Sequence, residues 1–446
     1  MMERLRAALR DAGAAFWLRD ARVPAAFAPS APGLPDAQDL LRLDVRIEAG
    51  RVAALAPLGS AAEGFDMDGG QLWPGPLDAH THLDKGHIWP RAPNPRGDFL
   101  GALETTAADR AARWTEADME ARAEFALRCA HAHGTVAVRT HLDTELPHAR
   151  TTWSLFRRLR DAWAGRIALQ MVSIAPLDRF AGAEGEAIAD LVAESGGVLG
   201  MVTRLSGGVH DALPPDYVPM LERFFALAEA RGLDIDLHVD ESGEAGARGL
   251  REIAMVALRR GFRGRIQCGH CCSLAVQPED YARETIARVA EAGIRIVVLP
   301  MCNMYLQDRA PGRTPRWRGV TLVHEMRAAG VGVSLASDNV RDPFYAYGDM
   351  DLVEVLREGT RILHLDHPFA GWAGVVGPNP AAAMGLDAGV LRPGAAADLL
   401  LFRARGMTEL LSRPQSDRIV LRGGRLLDAA PPDHRELDAL SAGLPG

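Results

Sequence analysis

Eight short, apolar, β-rich runs recur along this chain, and their recurrence limits the available folds more than any other feature. They are the run ending at His80, Val136-Ala137-Val138, Ile167 to Ile174, Val198 to Leu205, Ile235-Asp236-Leu237-His238, Ile266-Gln267-Cys268, Ile294 to Leu299 and Val331 to Leu335. Helix-like segments lie between them. One spans Glu116 to His133, opened by Thr115 with Asp118 three residues on and closed by Gly134; this is a capping-box-like start and a glycine stop. Another runs from Tyr217 to Ala230 and stops at Gly232. After the first unit the strands repeat at roughly 30 to 37 residues, the spacing of βα units in a closed parallel barrel. The first unit is longer because Lys85 to Asp98 is a Pro- and Gly-rich loop.

Strand character also flanks this region. Leu43 to Glu48 alternates, turns at Ala49-Gly50 and continues through Arg51 to Leu55, which predicts a hairpin. Pro24 to Pro35 reads as a loop. The tail resumes with Ala397 to Phe402, then Arg418 to Arg422 turning at Gly423-Gly424 into Arg425-Leu426-Leu427. A chain of 446 residues has room for one large barrel and an appended domain. The expected fold class is therefore α/β: a TIM-type (β/α)8 barrel over residues 75–385, with a small β-sandwich domain composed of residues 1–74 and 386–446.

A net charge of -8 gives no basic surface for nucleic acid or an anionic membrane. No apolar run reaches the roughly 18 residues of a membrane helix. The opening Met1-Met2-Glu3-Arg4-Leu5-Arg6 runs into Arg10 and Asp11 without the apolar core of a secretory signal. Five cysteines, an odd number in a long chain, do not form a disulfide framework, so a reducing cytoplasm is expected. Cys268 to Cys272 contains a CxxC, but no second CxxC completes a structural zinc site; small buried cysteines around His270 are the expectation.

Polar residues cluster at the strand ends. The first strand ends in His80 and His82, the second in His141 and Asp143, the fifth in His238, Asp240 and Glu241, the sixth in His270, and the eighth in Asp338 and Asn339. Residues i and i+2 of a strand share a face, so His80 and His82 leave together. In a barrel, side chains from several carboxyl ends converge on the active site. The reading is one divalent ion, Zn2+ or Fe2+, held by His80, His82, His238 and Asp338 with a water beside it. A divalent cation can pull the pKa of water from 15.7 to about 7. Glu241, three residues after His238, is placed to carry the proton to a leaving nitrogen. His270 is placed to hydrogen-bond the activated water, and Asp338 to accept a proton as well as to ligate. His141 and Asp143 read as residues that orient ligands. Lys85, His87 and Trp89 follow the metal pair and either line a substrate pocket or pack their loop. His131, His133, His148 and His210 read as surface or helix residues.

These motifs resemble the amidohydrolase superfamily, and within it cytosine deaminase and its relatives. The resemblance rests on His80-Thr81-His82-Leu83-Asp84, Arg139 to Asp143, Asp236 to Glu241, Gly269-His270, Cys302 to Gln307 and Ser337 to Phe344, and spans nearly the whole chain. It implies hydrolytic deamination of a small N-heterocycle at one iron or zinc, in a chain that forms a homo-oligomer. Opening of a cyclic amide, or cleavage of an exocyclic one, at the same site is the alternative. The third strand ends Ser173-Ile174-Ala175 without the glutamine that reads cytosine in the resembled enzyme. Asn339 replaces an aspartate and Phe344 a tryptophan, so cytosine itself is not the expected substrate. Lys85, His87, Asn339 and Phe344 are the expected substrate contacts. The fourth strand ends Thr203-Arg204, with no lysine or glutamate to bridge two ions, which implies a mononuclear centre.

Overall fold

The computed structural model describes residues 2–441. The chain divides into two compact units, one built from the segment up to Asp78 with Arg128–Ala137 and Asp351–Pro431, the other from Ala79–Leu127, Val138–Met350 and the segment from Pro432. The helix Leu352–Leu363 belongs to the first of these compact units.

The first unit opens with the helix Met2–Arg10, which buries Leu5 and Leu9 on one face. Sequence reading found no element there, because a helix of two and a half turns depends on packing rather than on its own propensity. Five strands follow: β1 (Ala15–Pro24), β2 (Leu40–Glu48), β3 (Arg51–Pro57), β4 (Phe65–Asp66) and β5 (Leu72–Pro74). The expected hairpin is β2 against β3, antiparallel from Leu43↔Pro57 to Glu48↔Arg51, in a sheet of order β3-β2-β1-β4.

Eight strands then recur where the apolar runs lie: β6 (Leu77–Thr81), β7 (Ala137–Asp143), β8 (Ala168–Ile174), β9 (Leu199–Val202), β10 (Ile235–Val239), β11 (Ile266–His270), β12 (Arg295–Val298) and β13 (Val333–Leu335). They form parallel sheets of order β6-β7-β8 and β13-β12-β11-β10-β9. Isolated parallel bridges join the two sheets at both edges, Val172↔Val198 and Pro176↔Val202 on one side and Thr81↔Asp338 on the other. The intervening helices include Glu116–His133, as expected, and Tyr217–Arg231, stopped by Gly232 at φ 63°. Only a residue without Cβ takes that left-handed turn at no steric cost.

Three last strands, β14 (Leu399–Leu401), β15 (Ile419–Arg422) and β16 (Arg425–Leu426), return to the first unit. β14 pairs antiparallel with β5, Leu400 opposite Trp73, in the order β16-β15-β14-β5. The fully buried Trp73 ring stands edge-on to Phe27 and Phe402, at 5.1 and 5.4 Å between centroids, and anchors this unit's core.

Candidate active site

The ends of β6 and β10 and the turn after β13 bring four ligating side chains together. His80 Nε2 and His82 Nε2 each lie 3.2 Å from His238 Nε2. Asp338 Oδ1 lies 3.5 Å from His80 Nε2 and 3.3 Å from His82 Nε2. All four side chains are buried. The backbone sets Asp338 in place: its N–H donates to the His80 carbonyl at 2.9 Å, and Thr81 Oγ1 donates to the Asp338 carbonyl at 2.7 Å. Asp338 and His270 both have left-handed φ, 61° and 66°. Such backbone costs about 1–3 kcal/mol and persists where surrounding structure imposes it.

Burial, helped by Lys85 at His82 and by His80 at His238, holds both of these imidazoles well below the ordinary histidine pKa. Burial alone would raise the Asp338 carboxyl, yet the facing His80 and His82 rings hold it well below its usual range. Both Asp338 carboxylate oxygens are buried without a hydrogen-bond donor. Three imidazole nitrogens this close cannot all donate to one another, so their lone pairs and the carboxylate converge on a space that suits a cation. Nitrogen and carboxylate donors in this mixture fit a divalent transition ion.

His141 lies under this cluster, its ring centroid 3.9 Å from that of His80. Its Nε2 is 3.3 Å from Asp236 Oδ1. Asp236 Oδ2 in turn accepts from Arg139 Nη1 and Gln267 Nε2, both at 2.8 Å. Burial would raise the Asp236 carboxyl, but His141 and Arg139 keep it below its ordinary value. Asp143 accepts from Lys85 Nζ at 2.7 Å and from Arg110.

Glu241, His270 and Asn303 form a second group beside the first. Asn303 Nδ2 lies 2.9 Å from His270 Nδ1 and 3.3 Å from Glu241 Oε1. Burial, reinforced by the Asp338 charge and opposed by Arg204, pushes the Glu241 carboxyl well above its ordinary 4.5. Burial also lowers His270 to about 3. A carboxyl with a raised proton affinity beside a neutral imidazole suits proton transfer.

A cavity of about 410 Å3 opens onto these residues, with His82, His238, Glu241, His270 and Asp338 at its floor. Lys85, Asn339 and Phe344 line it, together with Phe99 and Arg204. His87 does not line it. Left-handed at φ 63°, His87 is buried against Phe125 and His434, at 4.9 and 6.1 Å between ring centroids, so it packs its loop. His210 is also not a surface residue: it is buried, with Nδ1 3.1 Å from Thr203 Oγ1. Asn303, Arg204 and Phe99 are the site residues that sequence reading left without a role. The signal for Arg204 and Asn303 was their position just beyond strand ends.

The model of the amidohydrolase family matches residues 197–427. The chain is 50% identical to a pterin deaminase of Rhizobium rhizogenes, over 96% of this chain and 97% of that one. Among solved structures, 5-methylcytosine deaminase from Klebsiella pneumoniae superposes with a TM-score of 0.77 at 22% identity, over 94% of this chain and 98% of that one. N-isopropylammelide isopropylaminohydrolase from Burkholderia multivorans gives 0.72 at 26%, over 93% and 98%. A matched segment of more than half the chain, and a half-identical relative along nearly all of it, place it clearly: this chain belongs to the amidohydrolase family.

Proposed function

We propose that this chain is a metal-dependent hydrolytic deaminase that removes the exocyclic amino group of a fused N-heterocycle of the pterin type. The observation that carries the reading is the meeting of three imidazole nitrogens, each outer one 3.2 Å from that of His238, with the Asp338 carboxylate, beside Glu241 in one cavity. The half-identical pterin deaminase supports the choice of ring. So does a cavity of about 410 Å3 with Phe99 and Phe344 in its wall, room enough for a flat bicycle.

His80, His82, His238 and Asp338 would hold one divalent ion, zinc or iron. When bound, such an ion lowers the pKa of water from 15.7 to about 7 and polarises the group it faces. Glu241 takes the proton that water gives up and delivers it to the amino nitrogen. Water adds to the ring carbon, the C–N bond breaks, ammonia leaves and a ring carbonyl remains. His270 donates from Nε2 toward the reacting oxygen, with its Nδ1 turned to the Asn303 side-chain amide at 2.9 Å. Lys85, Asn339 and Phe344 contact the ring. Arg204 at the end of β9 stays protonated and cannot bridge two ions, which supports a mononuclear catalytic centre.

The parallel bridges at both sheet edges support a closed (β/α)8 barrel over residues 75–385, with a β-sandwich from residues 1–74 and 386–446. Among the described residues no helix is long and apolar enough to cross a membrane, and all five cysteines are buried free thiols. The reading is a cytoplasmic enzyme without membrane or nucleic-acid partners, assembled as a homo-oligomer. The test is product analysis with metal-loaded protein and pterin. One ammonia per substrate consumed is expected; a new carboxylate without ammonia would replace deamination by opening of a cyclic amide.

A further inference from the structure

Cys302 approaches the site from the helix Pro300–Leu306, which follows β12. Glu241, Cys302 and Asp338 each present one ligand atom, and these three atoms lie within 4.8 Å of one another, all on buried residues. The Cys302 thiol is otherwise weakly held: its sulfur is 3.7 Å from Asn339 Oδ1 and 3.9 Å from the Phe344 carbonyl. Asp338 has a carboxylate oxygen to spare. Its Oδ1 faces His80 and His82, and neither of its oxygens has a hydrogen-bond donor.

We propose that Glu241, Cys302 and Asp338 form a second, inhibitory cation site, selective for a thiophilic divalent ion such as zinc. Asp338 bridges it to the four-residue site. A thiolate with two carboxylates suits zinc, cobalt or cadmium and not magnesium or calcium, which take oxygen alone. Binding displaces the thiol proton to solvent. It also engages the Glu241 carboxylate, which can then no longer carry a proton. Excess zinc therefore stops the enzyme whose catalytic ion it can also supply. The inhibition rests on the proposed role of Glu241, whereas the binding does not.

Cobalt separates the two. Apo-protein titrated with Co2+ is expected to bind a first equivalent without a thiolate-to-cobalt charge-transfer band, then a second with one. Cys302→Ser should keep the first equivalent and lose the second together with its band. The zinc concentration for half-inhibition should rise by at least about 10-fold, the low end of what even a supporting partner of a metal is worth. Cys129→Ser, outside the group, should change neither. Absence of the band in the unmodified protein overturns the site whatever happens to the variant. A band lost in Cys302→Ser with zinc inhibition unchanged leaves the site but overturns its inhibitory role.

Discussion

The Asn303 side-chain amide lies 2.9 Å from His270 Nδ1. The same nitrogen is 3.3 Å from Glu241 Oε1, which also needs a donor. This arrangement assigns the amide's orientation, and with it the ring's tautomer: Nδ1 accepts, so Nε2 carries the proton. Nε2 has no partner of its own and faces the cavity floor. Replacing Asn303 by Leu releases the ring to either tautomer. We expect kcat to fall about 10- to 100-fold, the range for lost orienting partners, with KM little changed. Steady-state kinetics on the variant check this; an effect confined to KM would place Asn303 in substrate binding instead.

Glu241→Gln keeps the shape of the side chain and its contact with Asn303 but removes its proton-carrying capacity. Loss of a positioned acid–base group is worth about 100- to 10,000-fold. The expected outcome is a fall in turnover of that size with metal content unchanged by elemental analysis. Full activity in this variant would remove Glu241 from the reaction.

Much of the fold was legible because parallel strands are buried on both faces and so write themselves as apolar runs; β6 to β13 fall where those runs lie. That His80, His82, His238 and Asp338 would meet was legible for the same reason, since each sits at a strand end. His87 was not: its left-handed φ of 63° turns the chain and sends the ring to Phe125. Spacing along a loop carries no such information. Arg204 enters the site from the turn beyond β9, which no periodicity describes, and Asn303 from the short helix Pro300–Leu306 after β12. His210 is buried beside Thr203 and Phe99, contacts that only the tertiary fold creates and that spacing along the chain does not encode.

Gly269 packs directly beneath His80. A Cβ at this position would stand 3.1 Å from His80 Cε1 and 3.3 Å from Nδ1, so one of the two must shift by a few tenths of an ångström. His80 is hemmed in by His141 and His238, at 3.9 and 4.5 Å between ring centroids, and has little room to yield. Gly269→Ala should therefore weaken metal binding by about 10-fold or more while the protein stays folded. Chelator competition measures the affinity, and circular dichroism the fold. Unchanged affinity would mean that the ring can move aside.

Asp351 and Arg418 make a buried two-pronged ion pair in the first unit, Arg418 Nη1 donating to Asp351 Oδ1 at 2.7 Å and Nη2 to Oδ2. The same carboxylate caps the helix Leu352–Leu363 by accepting from Val353 N at 3.0 Å. Burial alone would raise the Asp351 carboxyl, but the Arg418 charge and hydrogen bonds hold it below its ordinary 3.8. The sign follows from proton counts. Between the lowered folded value and 3.8 the unfolded chain binds more protons, so the pair's contribution is fully present above that range and is lost as pH falls through it. Arg418→Met strands a buried carboxylate, which costs about 3–5 kcal/mol at neutral pH. Without Arg418 the folded carboxyl rises instead, and protonation in acid relieves the variant. Urea unfolding at pH 7 should thus show a wide gap between wild type and variant, and near pH 3 a narrow one. A gap that stayed constant with pH would mean that Arg418 acts by packing against Phe402, 5.9 Å from its guanidinium, and not through its charge.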